Sequence, residues 1–314
     1  MQEGCIAGGL YGIRSESHKD RADTFSEGDV MAKRKKTLLD FYEMKRRGEK
    51  ITFLTAYDFP TAQFAEEAGL DMLLVGDSLG MCVYGYSGTT PVTMEQMIYH
   101  ADAVRRGAPN TFVVGDMPFM SYQSSVEKAV ENAGRFLKEC DCDAIKLEGG
   151  IRVTSQIKAI VDAGIVVMGH IGLTPQSSGQ LGGHKAQGRT AESAKLLVED
   201  ALAVQEAGAH MLLLEAVPPE VGKYITETLE IPVLSIGAGP HCDGQLLIVS
   251  DAIGQFQAFT PKFVKKYCNV AEVVIEAMKE YVKEVKAREF PRAEHCYTML
   301  PGEEERFMEM MAGR

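Results

Sequence analysis

Asp143-Ala144-Ile145-Lys146-Leu147-Glu148-Gly149-Gly150 is a short apolar run interrupted by two charges and closed by paired glycines. A stretch of helical periodicity over 152–163 follows, stops at Gly164, and gives way to a second apolar run that ends in Gly169-His170. Apolar runs of four to eight residues bounded by turn residues read as strands, and a longer periodic stretch between two of them reads as a crossover helix. Glycine just past a helix is a stop signal, because it enters the left-handed conformation without a Cβ penalty. The segment is therefore a βαβ unit, with strands at 143–147 and 165–169 and a helix at 152–163.

In both directions the same unit repeats. Apolar runs at 51–55, 71–76, 111–115, 210–214, 232–236 and 246–250 bring the strand count to eight. Helical periodicity occupies 58–68, 93–106, 124–139, 191–207, 219–229 and a terminal region at 261–288, and several of these helices stop at Gly69, Gly107 or Gly208. A helix around 37–47, with Leu38, Leu39, Phe41 and Met44 on one stripe, precedes the first strand. Strands apolar throughout are covered on both faces, as in parallel sheets wrapped by helices. Strand order cannot be read from sequence, so an open doubly wound sheet is the alternative; the count of eight favours an α/β fold of the (β/α)8 TIM barrel type over 34–295. Residues 1–33 mix charges with Gly and Ser, lack the apolar core of a secretory signal, and read as a flexible amino-terminal extension, with Met31 as an alternative start. Residues 296–314 read as a carboxy-terminal tail whose Met308, Met310 and Met311 pack loosely.

Composition excludes several classes of function. With 314 residues, 45% hydrophobic and 25% charged, the chain can bury a large core, and it has no apolar run of the roughly 18 residues that a membrane-spanning helix requires. Its net charge of −11 offers no basic field for a phosphate backbone, so neither nucleic acid nor membrane is an expected partner. The seven cysteines are odd in number and scattered without paired CxxC spacing, which suits a reducing cytoplasm. Cys140 and Cys142 read as alternating faces of a helix-to-strand joint, and His100 as a packed or hydrogen-bonded histidine.

In parallel α/β folds, chemistry collects where strands end. Here those ends carry Asp77-Ser78, Asp116, Glu148, His170 and Glu215. A single acid in such a place is as readily a helix cap or turn residue, but five charged ends together point to a site. Asp77, Asp116 and Glu148 lie on consecutive strands and converge, and their mutual repulsion calls for a cation between them. Oxygen donors of this kind suit Mg²⁺, with Mn²⁺ or Co²⁺ as alternatives. Lys146 and Glu148, two apart on one strand, share the interior face. The span of about 20 residues between the fifth strand and the helix at 191 is long for a connector and reads as a substrate cover.

Several blocks carry a resemblance. Phe53-Leu54-Thr55-Ala56-Tyr57-Asp58, Val75-Gly76-Asp77-Ser78-Leu79-Gly80-Met81, Gly115-Asp116-Met117-Pro118-Phe119, Ile145-Lys146-Leu147-Glu148-Gly149-Gly150, Gly169-His170-Ile171-Gly172-Leu173-Thr174-Pro175-Gln176 and Leu214-Glu215-Ala216-Val217-Pro218 occur in this order. Together they are similar to the ketopantoate hydroxymethyltransferase family. The likeness implies transfer of a hydroxymethyl group from 5,10-methylenetetrahydrofolate to the small 2-oxo acid 3-methyl-2-oxobutanoate, giving 2-dehydropantoate for pantothenate synthesis. It implies a cytoplasmic, Mg²⁺-dependent homo-oligomer, typically a decamer. It assigns Asp77, Asp116 and Glu148 to the metal, Ser78 and Lys146 to the oxo acid, His170 to a place beside the substrate, and Glu215 to proton transfer. His184 and Ala186 depart from the family pattern, which often has an aromatic or aliphatic residue and valine there. A lyase of the isocitrate lyase and phosphoenolpyruvate mutase group, or a non-catalytic barrel scaffold, is the competing reading; such lyases usually carry a Lys-Lys-Cys-Gly-His block, and Val167-Met168 precedes Gly169-His170 here.

Overall fold

The structure is a computed structural model that describes residues 34–313; the amino-terminal extension and Met31 lie outside the described residues. Eight parallel strands close in chain order, with β8 pairing back onto β1. They are β1 (Ile51–Thr55), β2 (Met72–Val75), β3 (Phe112–Asp116), β4 (Ala144–Glu148), β5 (Val167–Gly172), β6 (Met211–Glu215), β7 (Val233–Ile236) and β8 (Gly244–Leu247). The closed ring settles the choice against an open sheet.

The helices in chain order are α1 (Leu38–Arg47), α2 (Phe59–Glu67), α3 (Leu79–Cys82), α4 (Met94–Gly107), α5 (Val126–Cys140), α6 (Thr154–Asp162), α7 (Ser178–Leu181), α8 (Ala191–Glu206), α9 (Pro219–Thr228), α10 (Val249–Ala252), α11 (Val270–Ala287) and α12 (Glu303–Ala312). Side-chain caps fix their starts: the Asp58 carboxylate accepts from Thr61 N, Ser125 from Lys128 N, and Thr93 exchanges a reciprocal pair of bonds with Gln96. The terminal helix begins at Val270, later than the reading from 261, and residues 303–312 form a helix with no buried residue.

The alternation of strand residues divides the core into two layers. Leu73, Val75, Val113, Ile145, Leu147, Val167, Leu212, Leu214 and Val233 face outward into the helices. Phe53, Met72, Leu74, Phe112, Val114, Ala144, Met168, Met211, Leu213 and Leu246 fill the interior. Helix α1 closes the amino-terminal end of that interior with Phe41 and Met44, and the Phe41 ring meets Phe112 edge-on at 5.1 Å.

Three aspartates brace the same end. Asp71, Asp143 and Asp243 sit just before β2, β4 and β8, outside the strands proper, and accept from the backbone N–H groups of Thr52, Val113 and Val233. Each also pairs with a lysine from the segment around α1: Lys36 at 2.6 Å, Lys35 at 2.6 Å and Lys45 at 2.8 Å respectively.

The eighth strand departs from expectation. It runs over 244–247 instead of 246–250, and 249–252 turns into α10. Gly244 pairs with Ile51, where an added Cβ would lie 2.5 Å from the Ile51 carbonyl oxygen, so this strand must begin on glycine. Cys140 and Cys142 are both buried free thiols, and burial pushes the Cys140 thiol up to about 12, which leaves it inert.

Candidate active site

The carboxy-terminal mouth of the barrel gathers Asp77, Ser78, Asp116, Lys146, Glu148, His170 and Glu215. Asp116, Glu148 and Glu215 are the last residues of β3, β4 and β6, and His170 lies within β5, each further inside the strand than the apolar pattern indicated. The parallel ladder carries on past the apolar run, since Met117 N bonds Lys146 O and Gly149 N bonds His170 O. Register then sets the neighbours: Asp116 is opposite Lys146, and Glu148 is opposite His170. Asp77 follows β2 on a short turn, where its backbone N–H donates to Asp116 Oδ2 at 3.0 Å. Ser78 starts α3 and shares a 2.9 Å hydrogen bond with the buried Tyr57 hydroxyl.

Lys146 is the hub. Its Nζ lies 2.7 Å from Asp116 Oδ1, 3.8 Å from Glu148 Oε1 and 3.2 Å from His170 Nδ1. An ammonium group only donates, so His170 Nδ1 accepts and its proton resides on Nε2. That Nε2 lies 3.3 Å from Glu215 Oε2, in contact though not in hydrogen-bonding alignment. Burial and the neighbouring Lys146 both hold the imidazole below its ordinary pKa, so it stays neutral.

Burial dominates the electrostatics. It raises the pKa of Asp77, Asp116, Glu148 and Glu215, and the negative neighbour Glu148 adds to the effect on Asp77. Burial alone would lower the pKa of Lys146, but Asp116, Glu148 and Asp77 outweigh it and hold the ammonium's pKa above its ordinary value. Ionising four enclosed carboxyl groups against one ammonium calls for more positive charge, which an added cation would supply, and all the donors are hard oxygens. Among the described residues, no three His, Cys, Asp or Glu side chains stand in a geometry that holds a metal ion as placed. Lys146 Nζ contacts both Asp116 and Glu148 instead.

Gln176, Tyr122 and Tyr57 carry no chemical signal in the sequence that marks them as site residues. Gln176, at the start of the segment between β5 and α8, reaches Asp77, Met117, Tyr122 and Glu148. The segment contains the short helix α7, and its far end is tied back by Gln187 N donating to Ala216 O, next to Glu215. His100 is packed as expected: its Nε2 lies 3.0 Å from the Tyr84 hydroxyl, and its Nδ1 contacts Tyr57 O.

A closed parallel barrel whose mouth holds buried acids around one lysine and one neutral histidine defines an enzyme of the (β/α)8 class. A family profile described as ketopantoate hydroxymethyltransferase matches residues 35–293. A 3-methyl-2-oxobutanoate hydroxymethyltransferase of Alkaliphilus metalliredigens (strain QYMF) is 67% identical over 275 residues, which is 88% of this chain and 97% of that protein. One from Syntrophomonas wolfei subsp. wolfei is 53% identical over 257 residues, covering 82% and 93%. A solved phosphonopyruvate hydrolase, in complex with oxalate and Mg²⁺, superposes with a TM-score of 0.55 at 13% identity over 88% of this chain and 98% of that one, a likeness of fold alone. The chain belongs to the ketopantoate hydroxymethyltransferase family, and with membership comes the activity for which the family is named, hydroxymethyl transfer to 3-methyl-2-oxobutanoate in pantothenate synthesis.

Proposed function

We propose that the one-carbon donor is 5,10-methylenetetrahydrofolate and that Glu215 is the base that removes the C3 proton of 3-methyl-2-oxobutanoate. The observation that carries this reading is the continuous line of contacts from Glu215 through His170 to Lys146. Burial makes Glu215 a stronger base than a solvated carboxylate, while the N–H of His170 facing it favours the ionised form. The same neutral histidine cannot protonate the base before the substrate does. Lys146 holds its positive charge where the keto oxygen gains negative charge, and Ser78, steadied by Tyr57, orients the oxo acid.

Asp77, Asp116 and Glu148 would hold the divalent ion, Mg²⁺ by preference, which when bound supplies Lewis-acid stabilisation of charge growing on the keto oxygen. The C3 electron pair forms the new bond to the folate methylene carbon as one of that carbon's two C–N bonds opens. Water supplies the hydroxyl group as the second C–N bond breaks, the proton taken from C3 and one from water end on the two folate nitrogens, tetrahydrofolate departs, and the product is 2-dehydropantoate. Tied to the acids at Gln176 and to Ala216 at Gln187, the segment between them would close over the bound substrate and limit water at the electrophile.

The apolar face of α11, with Ile275, Met278, Val282 and Val285 exposed and no residue of the helix buried, supports a homo-oligomer. The decameric size comes from the family resemblance alone. No described helix is long and apolar enough to cross a membrane.

The test is NMR detection of the C3 proton of 3-methyl-2-oxobutanoate in D₂O with the purified protein. Loss of that signal with Mg²⁺, its persistence with EDTA, and 2-dehydropantoate on adding the folate are the expected results. Persistence of the signal under every divalent metal would overturn the proposed chemistry.

A further inference from the structure

Gln176 uses its whole amide. Its Nε2 donates to Asp77 Oδ2 and to the Met117 carbonyl, both at 2.9 Å, and its Oε1 faces the Tyr122 hydroxyl at 2.7 Å and Gln123 Nε2 at 3.1 Å. The Met117 carbonyl can only accept, so the amide orientation is fixed. The backbone N–H of the same residue donates to Glu148 Oε2 at 3.0 Å. Tyr122 completes the network by accepting from Glu148 N at 3.0 Å. All of these groups but the half-buried Gln123 are buried, and Gln176 itself is 5% exposed.

One residue of the β5–α8 segment thus grips two of the three acids assigned to the metal, together with the end of β3. Gln176 touches neither Lys146 nor Glu215 in this network, and it lies near the start of the segment between β5 and α8. We infer that Gln176 is a positioning residue that couples that segment to the acid cluster: orienting Asp77 and Glu148 for a cation and ordering residues 177–190 are the same event. Metal occupancy then steadies the cover, and an ordered cover steadies the metal, as linkage requires of any two coupled equilibria.

The inference rests on the proposed metal role of Asp77, Asp116 and Glu148, so the experiment separates the two. Mn²⁺ alone, without substrate, is titrated against the full chain and followed by water-proton relaxation. In parallel, trypsin cleavage after the exposed Lys185 and Arg189 is timed by mass spectrometry with and without Mn²⁺. Gln176→Met keeps the volume and the backbone bond to Glu148 but removes the amide, and Tyr122→Phe removes only the hydroxyl that faces it.

In the unaltered chain, Mn²⁺ is expected to bind and to slow cleavage at both sites. In Gln176→Met the Mn²⁺ dissociation constant is expected to rise about 10- to 100-fold, the usual range when a partner that orients metal ligands is lost. Protection by saturating Mn²⁺ is expected to disappear, and Tyr122→Phe is expected to move both readouts in the same direction by less. A dissociation constant within twofold of the unaltered chain in Gln176→Met overturns the inference, as does weakened binding with protection intact. Failure of the unaltered chain to bind Mn²⁺ overturns the metal assignment, and the coupling with it.

Discussion

The two ends of the barrel interior draw on the same eight strands and treat charge in opposite ways. At the amino-terminal end, Asp71, Asp143 and Asp243 each have a lysine and a backbone N–H of their own. Between them the interior is apolar and sealed by Phe41 and Met44. At the carboxy-terminal end, Asp77, Asp116, Glu148 and Glu215 share Lys146 and a neutral histidine, and burial raises the pKa of every one of the four acids. One end is arranged for stability; the other keeps an unmet demand for positive charge, which is what a site for a cation and an anionic substrate needs.

Glu215→Gln should show the largest effect, a loss of about 10³-fold in the C3 proton exchange rate, within the range for removal of a general base. Metal binding and thermal stability should stay near those of the unaltered chain, and exchange that continued undiminished would remove Glu215 from this role. Phe41→Ala attacks the other end. Cutting a fully buried ring out of the plug should cost about 3–5 kcal/mol in denaturant unfolding. The exchange rate per folded molecule should not change, and a loss of activity in step with Glu215→Gln would erase the contrast between the ends.

Asp116→Asn sharpens the contrast, because it should act in opposite senses on binding and stability. Divalent-metal affinity should fall about 10- to 100-fold by calorimetric titration. The melting temperature of the metal-free protein should rise by about 2–4 °C, because a buried charge with a raised pKa is removed. A lower melting temperature would mean that Lys146 needs Asp116 more than the cluster suffers from it.

The smallest effect concerns Asp71. Burial pushes its carboxyl up, but bonds from Lys36 and Thr52 outweigh burial and hold the pKa below the ordinary value. Its contribution to stability is therefore complete above pH about 4 and disappears as pH falls through the lowered folded value. Asp71→Ala should lose about 1–2 kcal/mol at neutral pH and flatten the acid limb of a plot of melting temperature against pH. The raised acids at the mouth have the opposite sign in the metal-free protein: they favour the fold below their unfolded pKa values and oppose it as pH rises.

Much of this contrast is legible in the sequence. The eight apolar runs locate the strands, and the two-residue spacing of Lys146 and Glu148 places both in the interior. The acids stand at strand ends, where a parallel barrel carries its chemistry. Register is less legible, because a charged residue ends an apolar run before the hydrogen-bond ladder ends, so Asp116 and His170 belong to strands whose apolar runs stop short of them. The apolar run around β8 suits both a strand and a helix, and pairing with Ile51 chooses between them. Gln176 was beyond reach: its partner Asp77 stands 99 positions away, and nothing in Thr174-Pro175-Gln176 indicates which distant carboxylate the amide meets.

The attachment of the mouth segment at two places, Gln176 to the acids and Gln187 to Ala216, bears on how cheaply the enzyme can close. With both feet fixed, the longest stretch with freedom left to lose is the arch over 177–186. A tethered arch of about ten residues has a narrower set of conformations than the full connector, and shortening the free span from about 17 residues lowers the closure entropy by about 0.5 kcal/mol. The backbone already fixed at either foot adds to that saving. Opening and closing then resemble the lifting of a handle on fixed hinges, a motion for which little binding energy must be withdrawn from the substrate.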